Sequence, residues 1–412
     1  MAAGPNSAGD LLQLFRTEQV RTRRDVQEMT GLARSTVTFR VDALLAAGFL
    51  VEDGNVDDPG RGRPATRLKL NDEEITVLAA DLGATHGRLA VCTASGRVLA
   101  ERVMESAIAT GPAAVLARVV KEFGQLLRRA RRPVSSLRGV GVGVPGPVDW
   151  STGRIARSIS MPGWDNYPVA DHLSEVYDVP VVVDNDANLL GLGEQRTVFP
   201  DTHLLVFVKV GTGIGSSILL DGELVRGSDS AEGDIGHAKI VGVDELCSCG
   251  SRGCLAALAS GRALIRDLTR LGHPLVTPRD VVDLTRSGDP DAVRLVTQAG
   301  LALGDVLSTV VSLLNPEVVV IGGDLAHARE QLLTGVRQTL LQRTQPLATA
   351  HLQVVPTRLG DRAGVTGAAA MVRDKIFSAA TVDRILDGLT GPDRPTPLAV
   401  IPAPAGRGER VT

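Results

Sequence analysis

Two segments that share one pattern decide the fold: TVLAADLGAT at residues 76–85 and LLVFVKVGTGIG at residues 204–215. Each begins as a short apolar run, which is typical of a buried strand, and leads through a turn of glycine and threonine into a second β-type run. Two such strand–turn–strand units in one chain predict a duplicated fold.

The glycine turns are also candidate phosphate loops, because glycine lets backbone N–H groups approach a phosphate closely. Tight hairpins need glycine for their own geometry, so each turn alone is a weak signal. Neither turn fits the P-loop pattern G-x-x-x-x-G-K-[ST] or the Rossmann pattern G-x-G-x-x-G. The candidate phosphate-binding residues are Asp81, Gly83, Thr85, Gly211, Thr212 and Gly213.

Outward from these segments, short β-type runs alternate with amphipathic helices from Ile75 onward, which predicts α/β domains. Residues 1–72 have a different pattern: one helix, then a helix–turn–helix, then a two-stranded hairpin. The last stretch, from about Gly391 to Thr412, is rich in proline and glycine and has no periodicity. We expect it to be disordered.

The composition excludes several classes of protein. The 412 residues include 44 basic and 47 acidic ones, and the net charge of −3 excludes a chain-wide polycation. Aromatic residues are 3%, too few for a protein that grips single strands by base stacking. No apolar run approaches the ~18 residues of a membrane span, and the first ten residues do not form a secretory signal. We expect a cytoplasmic protein with no membrane partner.

The segment VQEMTGLARSTV at residues 26–37 has the register of a helix–turn–helix. In its second helix Val37, Val41 and Leu44 form one apolar face. The other face carries side chains that suit phosphates and base edges, namely Arg34, Ser35, Thr36, Thr38 and Arg40. The loop PGRGRP at 59–64 adds Arg61 and Arg63, which fit the narrow minor groove. The alternative is a surface helix pair beside a solvated arginine loop, but the two features in this order favour binding to double-stranded DNA.

Three of the four cysteines fall close together at Cys247, Cys249 and Cys254. In a reducing compartment, clustered cysteines more often bind a metal than form disulfides. His237 lies shortly upstream, and three cysteines with one histidine are a closed, structural zinc set. The alternative is a group of buried or redox-active cysteines.

The segment VDNDAN at residues 183–188 ends a strand and begins a helix. Ligands of open α/β sheets bind beyond the carboxyl ends of the strands. A carboxylate there would be able to take the proton from a sugar hydroxyl that attacks a γ-phosphate. Asp and Asn are also favoured helix N-caps, so the segment by itself leaves both roles open.

Taken together, these segments resemble the ROK family of repressors and sugar kinases over about residues 8–385. GVGVPGPVD at 141–149, GDIGH at 233–237 and NPE at 315–317 carry the likeness further. The resemblance implies a duplicated ribonuclease-H-like fold of the actin and sugar-kinase type, with two α/β lobes around a sugar cleft. The domains would be a winged helix–turn–helix at 1–72, a first lobe at 73–198 completed by the helix near 365–388, a second lobe with the zinc loop at 199–364, and a disordered tail at 389–412.

The same resemblance assigns roles to the residues singled out above. Asp186 takes the position of the kinase base. The sugar-binding residues would be Asn185, Asp186, Asp234 and His237. Structural zinc would be held by His237, Cys247, Cys249 and Cys254, and would brace the loop that supplies His237. The sequence leaves ATP binding open.

Four pocket positions depart from the pattern of the family's kinases. Ala84 replaces a glycine, Asp234 replaces the longer glutamate, Ala256 replaces a glutamate, and Ser160 replaces an asparagine. Three altered polar contacts, at ~1 kcal/mol or more each, would weaken sugar affinity by orders of magnitude. We expect this drift in a sensor that no longer needs to catalyse a reaction.

The sequence therefore predicts a sugar-responsive transcriptional regulator, a repressor of carbohydrate uptake or catabolism genes. It would bind a double-stranded DNA operator as a homodimer or homotetramer, respond to a sugar or related metabolite, and use no catalytic residue. The alternative is an ATP-dependent hexose or N-acyl-hexosamine kinase with an accessory DNA-binding domain, because Asp186 and the turn at 211–215 are retained. A third reading is a zinc-braced scaffold that binds neither sugar nor a specific DNA site.

Overall fold

The computed structural model describes residues 6–16, 22–55, 65–105, 108–156, 161–328 and 330–390. Its N-terminal region holds three helices and an antiparallel hairpin: α1 (Ala8–Arg16), α2 (Arg23–Thr30), α3 (Arg34–Ala46), β1 (Leu50–Asn55) and β2 (Thr66–Leu70). Thr22 starts α2 with a reciprocal capping box to Asp25. Ala33 precedes α3 and offers no side-chain cap. Leu11, Val26, Val41 and Leu44 are fully buried where the three helices meet.

The first lobe is built on a five-stranded mixed sheet. Its elements are β3 (Thr76–Leu82), β4 (His86–Thr93), β5 (Val98–Glu105), α4 (Pro112–Arg129), β6 (Leu137–Val144), β7 (Val148–Asp149), β8 (Arg154–Ile155), α5 (Val169–Tyr177) and β9 (Val181–Asn185). The strand order is β5-β4-β3-β6-β9. Strands β3, β6 and β9 are parallel, while β4 is antiparallel to both of its neighbours.

The second lobe repeats this sheet. After the connecting helix α6 (Asp186–Val198) come β10 (Leu204–Val210), β11 (Ile214–Leu220), β12 (Glu223–Leu224), α7 (Ala256–Ala259), α8 (Gly261–Arg270), α9 (Pro278–Arg286), α10 (Pro290–Leu314), β13 (Val318–Gly322), α11 (Glu330–Arg343), α12 (Pro346–Thr349) and β14 (Gln353–Pro356). The order β12-β11-β10-β13-β14 has the same pairing directions as the first sheet. The matching topology is the duplication that the two glycine turns predicted.

Helices α6 and α13 (Ala363–Ile376) cross in close contact between the two lobes. A Cβ on Gly193 would lie 2.2 Å from the carbonyl oxygen of Ala363, and one on Gly367 would lie 1.8 Å from that of Leu189. Only glycine allows the two backbones to approach this closely. The other face of α13 packs on the first sheet, where Val372 contacts the position of Gly139.

The region near 365–388 forms two helices with different partners. α13 packs on the first-lobe sheet, whereas α14 (Ala379–Thr390) packs on α1. The N–H of Gly9 donates to Asp383 at 2.7 Å, and the rings of Phe49 and Phe377 meet edge to face at 6.3 Å. The N-terminal region is therefore joined to the lobes through helices from the opposite end of the chain.

Within the described ranges, one helix is long and apolar enough to cross a membrane, judged by length and composition alone: α10. In its most apolar window 44% of the residues are buried inside the protein. Val296, Leu303 and Leu307 are fully buried in the core of the second lobe. A buried core helix passes the same test, so this finding is weak evidence for a membrane span.

Candidate functional site

A cleft of about 690 Å³ is lined by residues of both lobes. It brings together the two glycine turns and the start of α6, which are far apart in sequence. The predicted sugar and phosphate residues that line it are Asp81, Gly83, Thr85, Asn185, Asp186, Thr212, Gly213, Asp234 and His237. Gly211 stabilises the second turn, because its N–H donates to the carbonyl of Gly213 at 2.9 Å.

The two turns differ in how much room they leave. In the first, the N–H of Gly83 donates to the carbonyl of His86 at 2.8 Å, and a Cβ on Gly83 would lie 2.8 Å from the same oxygen. In the second, a Cβ on Gly213 would meet no atom within 4 Å. The first glycine is thus required by the hairpin itself, whereas Gly213 leaves open space at the cleft.

The two polar residues at the start of α6 have different surroundings. Asn185 is the N-cap, since its Oδ1 accepts from the N–H of Ala187 at 2.9 Å and its Nδ2 donates to the carbonyl of Gly146 at 3.0 Å. Asp186 is the first residue of the helix and lines the cleft with only 5% of its side chain exposed. One residue of the pair therefore caps the helix, and the other offers its carboxylate to the cleft.

That carboxylate already has a partner. Nζ of Lys209, at the end of β10, donates to Oδ2 of Asp186 in an ion pair that crosses from the second lobe to the first. Burial opposes the charge of Lys209, but the carboxylates of Asp186 and Asp81 outweigh it and hold the pKa of Lys209 above its usual value. The carboxylate that the sequence predicted at the base position is therefore paired with a cation of the chain itself.

Asp81 completes this charged corner. Burial, reinforced by the charge of Asp186, raises the pKa of Asp81 to about 7, although Lys209 acts in the opposite direction. A Cβ on Gly364, in α13, would lie 2.1 Å from Oδ2 of Asp81, so the helix backbone confines that carboxylate. The corner thus brings the side chains of Asp81, Asp186 and Lys209 together within the buried part of the cleft.

A second ion pair also joins the two lobes. Arg226 binds both carboxylate oxygens of Asp184, whose side chain is 1% exposed, and lies 3.5 Å from Glu232. Its guanidinium carbon is 5.8 Å from the ring centre of Trp150 in the first lobe, a cation–π contact. Asn188 donates to Asp184 at 2.9 Å. This network links the lobes, and Asp184, Asn188 and Glu232 of it also line the cleft.

The four predicted metal ligands converge. Nδ1 of His237 lies 3.7 Å from Sγ of Cys247, Sγ of Cys249 lies 3.8 Å from Sγ of Cys254, and all four donor atoms lie within 4.8 Å of one another. Donors at zinc bond lengths around a tetrahedral centre would be separated by about 3.6–3.8 Å. These residues therefore fit a zinc ion. The sulfurs are too far apart for a disulfide, whose S–S bond is about 2.05 Å.

The predicted DNA-reading residues of α3 lie outside its buried stripe of Val37, Val41 and Leu44 and differ in exposure. Arg34 and Ser35 are exposed, and Thr36 and Thr38 are half-buried. Arg40 donates from Nη2 to the carbonyl of Asn6 at 2.7 Å. Arg61 and Arg63 lie outside the described residues, as does Ser160.

Two five-stranded sheets of identical order, which flank a cleft with a glycine turn on each side, define a two-lobed protein of the sugar-kinase-like class. The chain belongs to the ROK family, whose sequence profile matches residues 77–375. This confirms the resemblance inferred from the sequence.

Relatives with different roles are found in the family. A xylose repressor of Caldicellulosiruptor bescii is 26% identical over 382 residues, which cover 89% of this chain and 95% of the repressor. A glucokinase of Halalkalibacterium halodurans is 28% identical over 311 residues, which cover 72% of this chain and 94% of the kinase. The crystal structure of a ROK family transcriptional regulator, a homologue of the E. coli MLC protein, superposes with a TM-score of 0.77 at 25% identity over 92% of this chain and 98% of that one.

Sequence reasoning missed the partners of Asp186 and Asp184, which are Lys209 for the first and Arg226, with Glu232 and Trp150 beside it, for the second. Lys209 left one signal, because it is a single lysine inside an otherwise apolar strand directly before a glycine turn. Arg226, Glu232 and Trp150 left none. Their roles can be recognised only in the folded protein, where the two lobes bring them close to Asp184.

Proposed function

We propose that this chain is a sugar-responsive transcriptional regulator that represses genes of carbohydrate uptake or catabolism. The proposal rests on how much of this chain aligns with each kind of relative. The repressor aligns with 89% of the chain and the glucokinase with 72%. The family profile starts at residue 77. An alignment as long as the repressor's must extend into the N-terminal helices, whereas one as short as the glucokinase's need not. Those helices are what the chain has in addition to a kinase-like body.

The N-terminal region would be a winged helix–turn–helix. α2 and α3 supply the helix pair, and the hairpin β1–β2 supplies the wing. Arg34, Ser35, Thr36, Thr38 and Arg40 would face the operator from α3. Arg61 and Arg63, in the segment that joins β1 to β2, would enter the minor groove, so Arg61→Ala and Arg63→Ala should weaken DNA binding and leave sugar binding unchanged.

The effector, a sugar or a related metabolite, would enter the cleft near Asn185, Asp186, Asp234 and His237. The ion pairs Lys209–Asp186 and Arg226–Asp184 already tie the lobes together across this space. A ligand that competes for these carboxylates would change the angle between the lobes. In a homodimer or homotetramer this would shift the spacing of DNA-binding units, whose half-sites lie about 34–36 Å apart.

The Lys209–Asp186 pair also favours a regulator over an enzyme. A general base needs a carboxylate oxygen within hydrogen-bond reach of the hydroxyl that it deprotonates, and here an ammonium already holds Oδ2 of that carboxylate. ATP-dependent sugar phosphorylation remains the second candidate, because Asp186 lies beside the open Gly213 turn and glucokinases are among the relatives. ADP release measured over a panel of sugars tests it, and turnover that Asp186→Asn abolishes would support the kinase.

Zinc, bound by His237, Cys247, Cys249 and Cys254, would be structural. Cys249 and His237 also line the cleft, so the ion would fix the loop that carries His237 toward the sugar. It would supply no chemistry beyond this bracing, because four protein ligands close a tetrahedral site.

The experiment that tests the function is selection of sheared genomic DNA on the purified full chain at a fixed, physiological salt concentration, followed by sequencing. One or a few sharply enriched sites are expected, and the genes beside them give the sugars to test. Addition of the best cleft ligand should change operator affinity, and operator DNA should change the affinity for that ligand by the same factor. Diffuse, salt-sensitive binding, or a cleft ligand without effect on the operator, would refute the proposal.

A further inference from the structure

Phe39, on α3, is the phenylalanine that the fold leaves in water. Its side chain is 76% exposed. Five of the other six phenylalanines are buried, and the sixth, Phe199, is half-buried under the guanidinium of Arg358. All seven lie in the described part of the chain. An exposed benzyl side chain gains nothing from folding, because its apolar surface stays in contact with water.

Phe39 lies on the face of α3 that carries Ser35. It lies one turn after Ser35, and residues four apart share a face of a helix. Val37, Val41 and Leu44 are buried on the other side. No other large apolar side chain of α3, all of whose residues are described, is exposed. An isolated ring among Ser, Thr and Arg side chains is too small an apolar surface for a protein–protein interface.

We propose that Phe39 reads thymine in the major groove by contact with its 5-methyl group. This rests on the proposed function, since it requires α3 to enter the groove of an operator. Phenylalanine has no hydrogen-bonding group, and the thymine methyl is the apolar group that an unmodified base pair presents in the major groove. Phe39 thus selects for A·T pairs in the required orientation, while its neighbours on α3 contact phosphates and polar base edges.

The charges around Phe39 agree with this position. Arg34 lies at the first turn of α3, where the N-terminal end of the helix also favours a phosphate. Asp42, three residues beyond Phe39, is 57% exposed and is held by Arg23 at 2.6 Å. An acidic side chain opposes the approach of the phosphate backbone, so the DNA-facing part of the helix ends before Asp42.

The test uses the enriched operator and removes one methyl group at a time. Each thymidine is replaced in turn by deoxyuridine, which keeps the base pair and deletes only the 5-methyl group. Dissociation constants are measured at one salt concentration for the full wild-type chain and for Phe39→Ala. For the wild type, one or two positions per half-site should lose about fourfold in affinity, the factor for one buried CH₂-sized group. In Phe39→Ala the loss at those positions should disappear.

Leu347→Ala is the matched control, because Leu347 is 87% exposed in the second lobe, far from α3 in sequence. It should keep the wild-type deoxyuridine profile, and circular dichroism melts should show that both variants fold. If Phe39→Ala keeps the full methyl dependence at every thymidine, the readout role is refuted while the regulator function stands. If the wild type selects no DNA site, both the readout role and the regulator function are refuted. Self-association of the DNA-free protein that Phe39→Ala abolishes would show that a second copy covers the ring, and would also overturn the inference.

Discussion

Replacing Lys209 by methionine removes the cation from the centre of the cleft and keeps most of the side-chain volume. Lys209 is 22% exposed and its partner Asp186 is 5% exposed, so the pair is largely screened from water. Breaking a buried pair by removing one partner costs about 3–5 kcal/mol, since the other charge is left uncompensated. Lys209→Met should therefore lower the free energy of unfolding by about that amount at pH 8.

The loss should depend on pH, with a sign fixed by Asp81. Because burial and Asp186 raise the pKa of Asp81 in the folded protein to about 7, the stability linked to its protonation is present below the unfolded value near 3.8 and is lost as the pH rises through about 7. Lys209 lowers the pKa of Asp81, so removal of Lys209 raises that pKa further. The pH range over which the free energy of unfolding falls then extends to higher pH. The deficit of Lys209→Met should be smaller at pH 6 than at pH 8 by about 1 kcal/mol or more, the free energy of one pKa unit.

Urea unfolding of the full chain, followed by circular dichroism at both pH values, measures these differences. Lys121→Met, on the exposed face of α4, is the control and should change the unfolding free energy by less than about 0.5 kcal/mol. Asp186→Asn should recover part of the stability lost in Lys209→Met but cost stability in the wild type. The buried pair would be refuted if the two substitutions changed the free energy of unfolding additively. It would also be refuted if Lys209→Met lowered that free energy by the same amount at pH 6 and pH 8.

Further predictions concern the metal set, the second ion pair and the N-cap of α3. Cys249→Ser should reduce bound zinc, measured by atomic emission, to well below one per chain, whereas Cys92→Ala, outside the cluster, should keep it; full zinc retention in Cys249→Ser would contradict the ligand set. Arg226→Met should destabilise the fold by about 3–5 kcal/mol in urea, because Asp184 is left buried and unpaired; an unchanged midpoint would exclude this pair as a lobe contact. Ala33→Ser should add the missing cap of α3 and raise stability by up to ~1 kcal/mol in thermal melts; no gain would mean that the serine finds no backbone N–H.

Local patterns recovered much of the secondary structure. The apolar runs at 76–82 and 204–210 are β3 and β10, and the helix, the helix–turn–helix and the hairpin expected in residues 1–72 are α1, α2–α3 and β1–β2. The strands β5 and β14 have weaker signals in the sequence. β5 lies at a sheet edge with a mixed burial pattern, and β14 is four residues long, so neither has the alternation or the length that identifies a strand. Their place in the sheets is set by pairing with β4 and β13.

The sequence by itself determined the family, the α/β class, the duplicated plan and the spacing of the cysteines, because each of these is written in local periodicity or in short motifs. Only the tertiary structure decided how the cleft is charged. Lys209 and Asp186, or Arg226, Asp184 and Trp150, meet across two lobes whose separation no spacing along the chain encodes. It also decided that Asn185 caps a helix while Asp186 faces the cleft, and that Phe39 stays exposed. Charge pairing and burial depend on distance in space, which arises only when separate elements pack together.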